Sequence, residues 1–380
     1  MSTKLIIALL ILAAFWGVLY LIYGRREEEE LKEEGLEVDL LVAMWRTKRL
    51  LNFIDRTARK AKRFWKAYAT IGVLIGFAGM AYVFYALFQT ALASVRGGFK
   101  TPGVQLVIPG VTIPLWYGLV GLVVVMVVHE LSHGVVARAE GLRLKSVGLV
   151  LLAVIPGAFV EPDEDEIKKA PLLSRLRVYA AGSMANIVTA LLALLLINYA
   201  LGPVLVPNGV EITNFDPNGP AKDFLMKGDV IVGINGQSVM SVEDFLKVMN
   251  STRAGETIAL QVERAGKVET IRITLADNPS NPGKGYLGVY PSQRLRSKIG
   301  AEWLVLPIAF SLYWVYVLNF GIGLMNLFPL VPLDGGKMLD ETLREFLPEG
   351  IAKPISYAFI AIGLLLLGIN LLPALAGLAG

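Results

Sequence analysis

The sequence contains no cysteine and only two histidines among its 380 residues. Without cysteine the chain can form no disulfide bond, thiolate metal site or iron–sulfur cluster, and it has no cysteine nucleophile. Any metal ion must therefore be held by nitrogen and oxygen ligands. Both histidines lie in one apolar segment, residues 124–136, so a site built on histidine has to be there.

Charged residues are also scarce, at 18%, whereas 54% of the residues are hydrophobic and the mean hydropathy is +0.57. These values predict a polytopic α-helical protein of the cell membrane rather than a soluble domain. The net charge of +4 does not indicate nucleic-acid binding, because the basic residues cluster beside apolar segments, where they would meet lipid headgroups. We therefore expect the lipid bilayer as a partner and no nucleic acid.

Six apolar segments are each close to the ~20 residues that cross a bilayer. They comprise residues 5–23, 67–95, 115–138, 178–201, 303–326 and 355–376. The segment that follows the first span is rich in Lys and Arg, which predicts a cytoplasmic location. The third span then runs inward, and the loop between the fourth and fifth spans lies outside. Three basic residues on that predicted outer side disagree with the rule: Arg294, Arg296 and Lys298.

Two segments outside these spans are apolar or amphipathic. Residues 39–66 mix aromatic with basic side chains, which predicts either a helix on the membrane surface or a solvated helix that links two spans. Residues 147–166 are broken by Pro156 and Gly157, so neither part can cross the membrane. They form either a hairpin that dips into the membrane, where protein or a water-filled cavity satisfies its backbone, or a surface loop.

Residues 203–294 are more polar and predict a small α+β domain in the outer loop. In chain order the signals are a helix between Pro220 and Gly228, a hairpin with Asn235-Gly236 at its turn, a helix with a capping box formed by Ser241 and Asp244, and two strands around Ala265-Gly266.

This domain resembles a PDZ domain of the circularly permuted kind found in bacterial and archaeal proteases. The segment "KGDVIVGINGQSV" carries most of the resemblance, and "GYLGV" resembles the loop that holds a peptide C-terminus. The resemblance implies substrate-binding residues Gly285, Tyr286, Leu287, Gly288 and Val289. An extended peptide would add a strand beside that loop. The alternative is a domain that restricts access to a membrane site and binds no peptide. We refer to residues 203–294 as the PDZ-like domain.

The sequence "HELSH" within the apolar residues 124–136 predicts a metal site. His129 and His133 are four residues apart, so on a helix they share a face and can bind one metal ion. Glu130 beside them can act as a general base, which is the arrangement of a zinc metallopeptidase. A charged residue at the membrane centre costs about 2.5 kcal/mol or more, so a metal ion would offset the burial of these groups.

A catalytic zinc site needs a third protein ligand, and Asp334 in "NLFPLVPLDGGKML" is the best candidate. Pro329 and Pro332 should end the fifth span, which leaves Asp334 on an irregular segment that must line a protein cavity. The alternative role of Asp334 is a helix N-cap. His129 lies ~21 Å into an inward-running span at 1.5 Å per residue, and Asp334 follows another, so the site should lie toward the cytoplasmic side.

The two motifs together resemble the site-2 protease family of intramembrane zinc metallopeptidases. The resemblance implies that His129, His133 and Asp334 bind Zn²⁺ and that Glu130 is catalytic. It also implies a Gly-x-x-x-Asn motif, matched by Gly182 and Asn186. Asn186 would donate a hydrogen bond to the developing oxyanion or to the substrate backbone. Packing between helices is the alternative role of this motif.

The sequence therefore predicts a zinc-dependent intramembrane endopeptidase of membrane-protein substrates, with access controlled by the PDZ-like domain. Its predicted parts are the first span and linker (1–66), a membrane core with the metal helix (67–202), the PDZ-like domain (203–294), and a membrane core with Asp334 and the last span (295–380). A metal transporter or sensor is the main alternative, although a transport path needs several polar sites along the membrane. A catalytically inactive PDZ scaffold would leave Glu130 without a role.

Overall fold

The computed structural model describes residues 3–23, 35–39, 41–97, 103–152 and 155–379. The chain divides into two compact units. The inserted unit comprises Leu195–Phe310, and the membrane unit comprises the residues on either side of it.

Ten α-helices are present in the described residues. They are α1 (Thr3–Tyr23), α2 (Lys48–Lys60), α3 (Lys62–Arg96), α4 (Leu115–Glu140), α5 (Glu164–Lys169), α6 (Leu172–Leu195), α7 (Val242–Ser251), α8 (Glu302–Met325), α9 (Asp334–Phe346) and α10 (Glu349–Ala379). Five of these, α3, α4, α6, α8 and α10, are long and apolar enough to cross a membrane, and a π-helical turn extends α6 to Leu201. This confirms a polytopic helical membrane protein. The first predicted span lies in α1, whose described apolar part, Ala13–Tyr23, is shorter than a span.

A four-stranded antiparallel sheet belongs to the membrane unit. Its strands, in spatial order, are β1 (Leu36–Asp39), β2 (Val42–Arg46), β3 (Leu144–Leu152) and β4 (Ile155–Pro162). Of the two alternatives for residues 147–166, the hairpin is present as β3 and β4, but it ends at Pro162, and residues 164–166 belong to α5. Residues 153–154 lie outside the described part.

The prediction of a continuous helix over residues 39–66 is wrong at its start. Val42–Arg46 form β2, which pairs with β3 from Val42 opposite Leu152 to Arg46 opposite Gly148. Without β2, the backbone groups along this edge of β3 would have no strand partner. The hydrogen bonds between β2 and β3 outweigh the local helix propensity of these residues. The helix begins only after Thr47, whose hydroxyl accepts a hydrogen bond from the Arg49 backbone N–H.

Close packing in the membrane unit fixes α4 and α6, the two helices that carry most of the predicted site. Ile54 and Ala58 of α2 pack against Val135 and Ala139 of α4. On α3, Gly72 lies against the side chain of Met184 in α6, where an added Cβ would come within 3.2 Å. Small residues of this kind allow membrane helices to approach closely.

The inserted unit contains an antiparallel sheet, a two-stranded ribbon and α7. The strands are β5 (Leu205–Phe215), β6 (Val230–Ile234), β7 (Gln237–Ser238), β8 (Thr257–Arg264), β9 (Lys267–Thr274), β10 (Ala276–Asn278), β11 (Asn281–Tyr286) and β12 (Val289–Ser297). The larger sheet has the order β12-β5-β6-β8-β9, with β7 paired to β6, and β10 pairs with β11. Its core includes the fully buried Ile212, Ile231, Ile258 and Leu260.

Most local predictions for the inserted unit are confirmed. Asn235 and Gly236 have positive φ at the β6–β7 turn, and Ala265 and Gly266 have positive φ between β8 and β9. Both members of the Ser241 capping box form their hydrogen bonds at the start of α7.

The helix predicted between Pro220 and Gly228 is shorter than expected. A 3₁₀ turn covers only Pro220–Asp223. Asp229 accepts a hydrogen bond from the Met226 backbone N–H at 2.8 Å, which draws the following residues into a turn instead of a longer helix.

Candidate active site

The predicted metal ligands come from two helices of the membrane unit. His129 and His133 lie on α4, and Asp334 is the first residue of α9. As predicted, the chain leaves the helical conformation before Pro329 and Pro332, since α8 ends at Met325. A hydrogen bond of 2.9 Å from the Gly335 N–H to the Asn326 carbonyl oxygen closes the turn that follows α8. Asp334 is the first residue of the next helix, α9.

Three ligand atoms form a compact triangle. His129 Nε2 and His133 Nε2 lie 3.1 Å apart, and Asp334 Oδ2 lies 3.2 Å from each of them. Two ligand atoms at about 2.0 Å from a tetrahedral zinc ion are separated by about 3.3 Å. The triangle therefore fits one zinc ion, with two nitrogen ligands and one oxygen ligand.

Hydrogen bonds at the other ring nitrogens orient both imidazoles. His133 Nδ1 lies 2.7 Å from the carbonyl oxygen of Val178 in α6. A carbonyl oxygen only accepts, so Nδ1 carries the proton and the lone pair on Nε2 is available to a metal.

The environment of His129 fits the same requirement. Asn186 lies with its amide nitrogen 3.1 Å from His129 Nδ1, whereas its buried Oδ1 has no hydrogen-bond partner. Rotating the amide by half a turn exchanges its oxygen and nitrogen. Oδ1 then accepts the proton of Nδ1, and the Nε2 lone pair is again available to the metal.

The backbone of α6 lies directly against the two histidines. A Cβ on Gly182 would come within 2.5 Å of His129 Nε2, so a larger residue cannot occupy this position without displacing the ring. A hydrogen bond also joins α4 to this part of α6, because the Ser132 hydroxyl donates to the Ala181 carbonyl oxygen at 2.9 Å.

Glu130 lies beside the triangle and lines the same cavity of about 860 Å³ as His129, His133 and Asp334. Its Oε2 accepts a hydrogen bond of 3.1 Å from the Val160 N–H in β4. A carboxylate that faces the cavity next to the ligand triangle has the placement required of a general base.

Asn326 is a further polar residue at the site, outside the set of predicted ligands and catalytic residues. Its amide nitrogen lies 2.9 Å from His129 Nε2 and 3.3 Å from Asp334 Oδ2, at the edge of the triangle. It is the first residue of "NLFPLVPLDGG", so the motif itself contained a signal for it.

The structure also locates the remaining predicted site residues. Asn186 is fully buried against His129 Nδ1, the ring nitrogen opposite the ligand atom. Gly285–Val289 belong to the inserted unit, where they join β11 to β12. There Leu287 is buried, and its carbonyl oxygen accepts a hydrogen bond of 3.1 Å from the Ala221 N–H.

Comparison with known proteins identifies the family. Residues 117–370 match peptidase family M50. An uncharacterized protein of Methanocaldococcus jannaschii is 30% identical over 342 residues, which cover 88% of this chain and 84% of that protein. The membrane-bound transcription factor site-2 protease homolog of Arabidopsis thaliana is 30% identical over 53% of this chain and 41% of its own length. A putative zinc metalloprotease of Clostridium perfringens is 22% identical over 66% of this chain and 94% of its own length.

Among solved structures, the PDZ domain of an SdrC-like protein from Listeria innocua is similar to part of the chain. It is 26% identical and covers 23% of this chain and 97% of that domain, with a TM-score of 0.21.

The fold and the ligand triangle define a multi-pass membrane protein with a zinc site of the metallopeptidase type. The chain belongs to peptidase family M50, the site-2 protease family, and is a membrane zinc metallopeptidase.

Proposed function

We propose that this chain is an endopeptidase that cleaves membrane-protein substrates within or near their transmembrane segments. The observation that supports this most strongly is the position of the ligand triangle. His129 and His133 lie within α4, a helix apolar enough to span a membrane, and Asp334 follows α8, another such helix. A peptidase whose metal ligands lie on a spanning helix and directly after another can act on peptide bonds that soluble proteases do not reach.

The proposed roles follow from the contacts of each residue. His129, His133 and Asp334 hold zinc, which when bound supplies a Lewis acid and lowers the pKa of a coordinated water to about 7. Glu130 accepts the proton and later passes it to the leaving amine. Asn186 orients His129 through Nδ1, as outer hydrogen-bond partners of metal ligands commonly do.

Asn326 is the better placed of the two asparagines to donate a hydrogen bond to the substrate. It lines the cavity, whereas Asn186 is fully buried. We therefore assign the predicted role of Asn186 in stabilising an oxyanion to Asn326, and keep for Asn186 the orientation of His129.

A substrate helix has to unwind, because its peptide bonds are engaged in its own hydrogen-bond ladder. The edge of β4 offers the unwound segment a partner. Val147 directs its carbonyl oxygen to the Thr47 N–H, away from β4, so the opposing Val160 directs its backbone groups away from β3. The Val160 N–H donates to Glu130, which leaves the Val160 carbonyl oxygen to pair with a substrate strand. An extended substrate paired with this edge would lie beside Glu130. Substrates with small or helix-weakening residues near the cut are expected.

The PDZ-like domain is proposed to control substrate access. It lies within a separate compact unit, and the one cluster of potential metal ligands found in the described residues belongs to the membrane unit. The domain is therefore assigned to selection of substrates rather than to the chemistry. We further propose that it is extracytoplasmic and that the metal site lies toward the cytoplasmic side, on the charge distribution of the loops.

The metal transporter or sensor stays the second candidate. Within the described residues a single His, Asp or Glu cluster has metal-binding spacing, whereas a path across the membrane needs several. Glu130 in the same cavity also has a clear role in hydrolysis and none in transport.

The decisive experiment incubates purified protein with a model single-span substrate, with and without a chelator. Cleavage should require metal and should fall by roughly 10²-fold to 10⁴-fold in Glu130→Gln, as expected for loss of a general base. The Glu130→Gln protein should retain its zinc, because Glu130 is not a ligand in the triangle. Near-normal cleavage by this variant would refute the proposed mechanism.

A further inference from the structure

Lys337 is a cation in the active-site cavity that the proposed mechanism does not use. It lies three residues after Asp334 in the first turn of α9, so the two side chains share a helix face. The cavity that contains His129 and Glu130 is also lined by Lys337. Its ammonium is therefore exposed to the space in which a substrate would bind.

The acidic residues on α9 that could neutralise Lys337 are engaged elsewhere. Asp334, three residues before it, contacts the two histidines. Glu341, four residues after it, is bound by Arg175 of α6. Asp340 accepts hydrogen bonds from Arg344 at 2.7 Å and from Ser356 at 2.8 Å. All three carboxylates at helical spacing from Lys337 are thus engaged with other groups.

The other cations that line the cavity are paired with carboxylates. Arg46 forms an ion pair with Glu37, and Lys168 lies 3.8 Å from Glu164. In the described part of the cavity lining, Lys337 is the one cation without a carboxylate within ion-pairing distance. Its Nζ instead lies 5.8 Å from the centre of the Tyr179 ring, a cation–π contact that orients the ammonium without neutralising it.

We propose that Lys337 binds a carboxylate of the polypeptide being cleaved. This inference rests on the proposed function, and it adds a specificity-determining residue to that site. The carboxylate has two chemical sources. One is an acidic side chain near the scissile bond, and the other is the new C-terminal carboxylate that hydrolysis creates. An ammonium on a flexible stem can meet either group as a charge-assisted hydrogen-bond donor.

Binding is measured first, on full-length protein that carries Glu130→Gln so that no turnover occurs. The probes are model single-span substrates with one aspartate, or one asparagine as its neutral counterpart, at successive positions along the span and its flanks. The product probe is the cleavage fragment that ends in the new C-terminus, as the free acid or as the amide. Lys337→Gln removes the charge, Lys337→Arg keeps it, and Lys353→Gln removes a lysine of α10 that pairs with Glu349 outside the cavity.

In Lys337→Gln the dissociation constant should rise roughly threefold to tenfold for the acidic form of a probe and stay unchanged for its neutral form. Lys337→Arg should restore most of the affinity, and Lys353→Gln should have no effect. If the dissociation constant rises only for the probe with aspartate at one position, the carboxylate comes from a substrate side chain. If it rises only for the free-acid fragment, the carboxylate is the new C-terminus of the product. Equal changes for acidic and neutral probes, or no change, would overturn the proposal.

Turnover by the otherwise unmodified protein separates this proposal from the proposed function. If that protein cleaves in a metal-dependent way, and Lys337→Gln leaves unchanged both the ratio of KM values for acidic and neutral substrates and the affinity for the free-acid fragment, the role of Lys337 is refuted and the endopeptidase assignment stands. If it cleaves nothing while the charge-dependent binding difference persists, the carboxylate site stands and the endopeptidase assignment fails.

Discussion

Gly182 of α6 packs directly against His129 of α4, so that a Cβ at this position would lie 2.5 Å from the Nε2 atom of the ring. The same Cβ would also collide with His133. The glycine of the Gly-x-x-x-Asn motif therefore provides space for the ligands, and its asparagine, one turn later, contacts His129 Nδ1. The motif acts on the geometry of the metal site through both residues.

We predict that Gly182→Ala displaces the histidines and weakens zinc binding by about 10-fold to 100-fold, the range found when the surroundings of metal ligands are altered. Zinc affinity measured by competition with a chelator provides the test. Gly321→Ala is the matched control, because Gly321 lies in the apolar helix α8 and an added Cβ there has no neighbour within 4 Å. Equal affinity in Gly182→Ala and the control would show that the steric argument is wrong.

Each member of the ligand triangle should be required for zinc. His129→Ala, His133→Ala and Asp334→Ala each remove one of three protein ligands, and we expect a strong loss of zinc per chain by metal analysis. Glu161→Gln serves as the control, because Glu161 lines the cavity but bonds the Ser146 hydroxyl at 2.6 Å. If Asp334→Ala keeps its full zinc content, Asp334 is not a ligand and Asn326 becomes the next residue to test.

The sequence was informative about the site wherever chemistry requires a rare residue type at a fixed spacing. The sequence has two histidines one helical turn apart, and an aspartate just after two prolines that end an apolar segment. These patterns identified the three residues that the fold brings together. The contact between Asn186 and His129 could not be predicted from the sequence, because it depends on how α6 is rotated against α4. The position of Asn326 depends likewise on the turn that joins α8 to α9.

Local structure was predictable where turn or capping residues dictate it, as at Asn235-Gly236 and Ser241. It was not predictable at Val42–Arg46, where a largely apolar stretch that ends in one arginine becomes β2. That strand exists because β3, about a hundred positions later in the chain, supplies its hydrogen-bond partners. Pairing at such a distance leaves little trace in local composition.

Asp229 of the inserted unit provides a prediction about pH. Burial raises the pKa of Asp229, but hydrogen bonds from Arg264 and from the Met226 N–H outweigh burial, so the pKa lies below its ordinary value. Stability from this group is present above the pKa of unfolded Asp, about 3.9, and is lost as pH falls through the lower folded-state pKa.

At neutral pH, Asp229→Asn should destabilise the inserted unit by roughly 1.5 to 3 kcal/mol, because the buried Asp229 side chain loses its charge-assisted hydrogen bonds to Arg264, whose guanidinium is partly exposed to solvent. Hydrogen exchange of β6 and β8 in the full chain measures this, and the difference should narrow below about pH 4, where Asp229 of the unfolded chain takes up a proton before Asp229 of the folded chain does. Glu269→Gln, which removes an exposed carboxylate 3.9 Å from the same arginine, should cost at most about 1 kcal/mol. A comparable loss in both variants would contradict the special role of the buried pair.

Deletion of the PDZ-like domain separates the two ways in which it could control access. Removing residues 208–292 leaves two strand ends that are already neighbours, because Pro207 pairs with Leu295, so a short linker can join them. If the domain holds substrate beside Gly285–Val289, the deletion should raise the KM for short substrates and leave their kcat unchanged. If it filters by size, short substrates should be unaffected, and substrates with large folded outer domains should be newly cleaved. We expect filtering, because strand addition of an arbitrary peptide end provides little affinity of its own. Zinc content and inactivity of the same deletion with Glu130→Gln are the controls, and unchanged rates for both substrate types would contradict both modes.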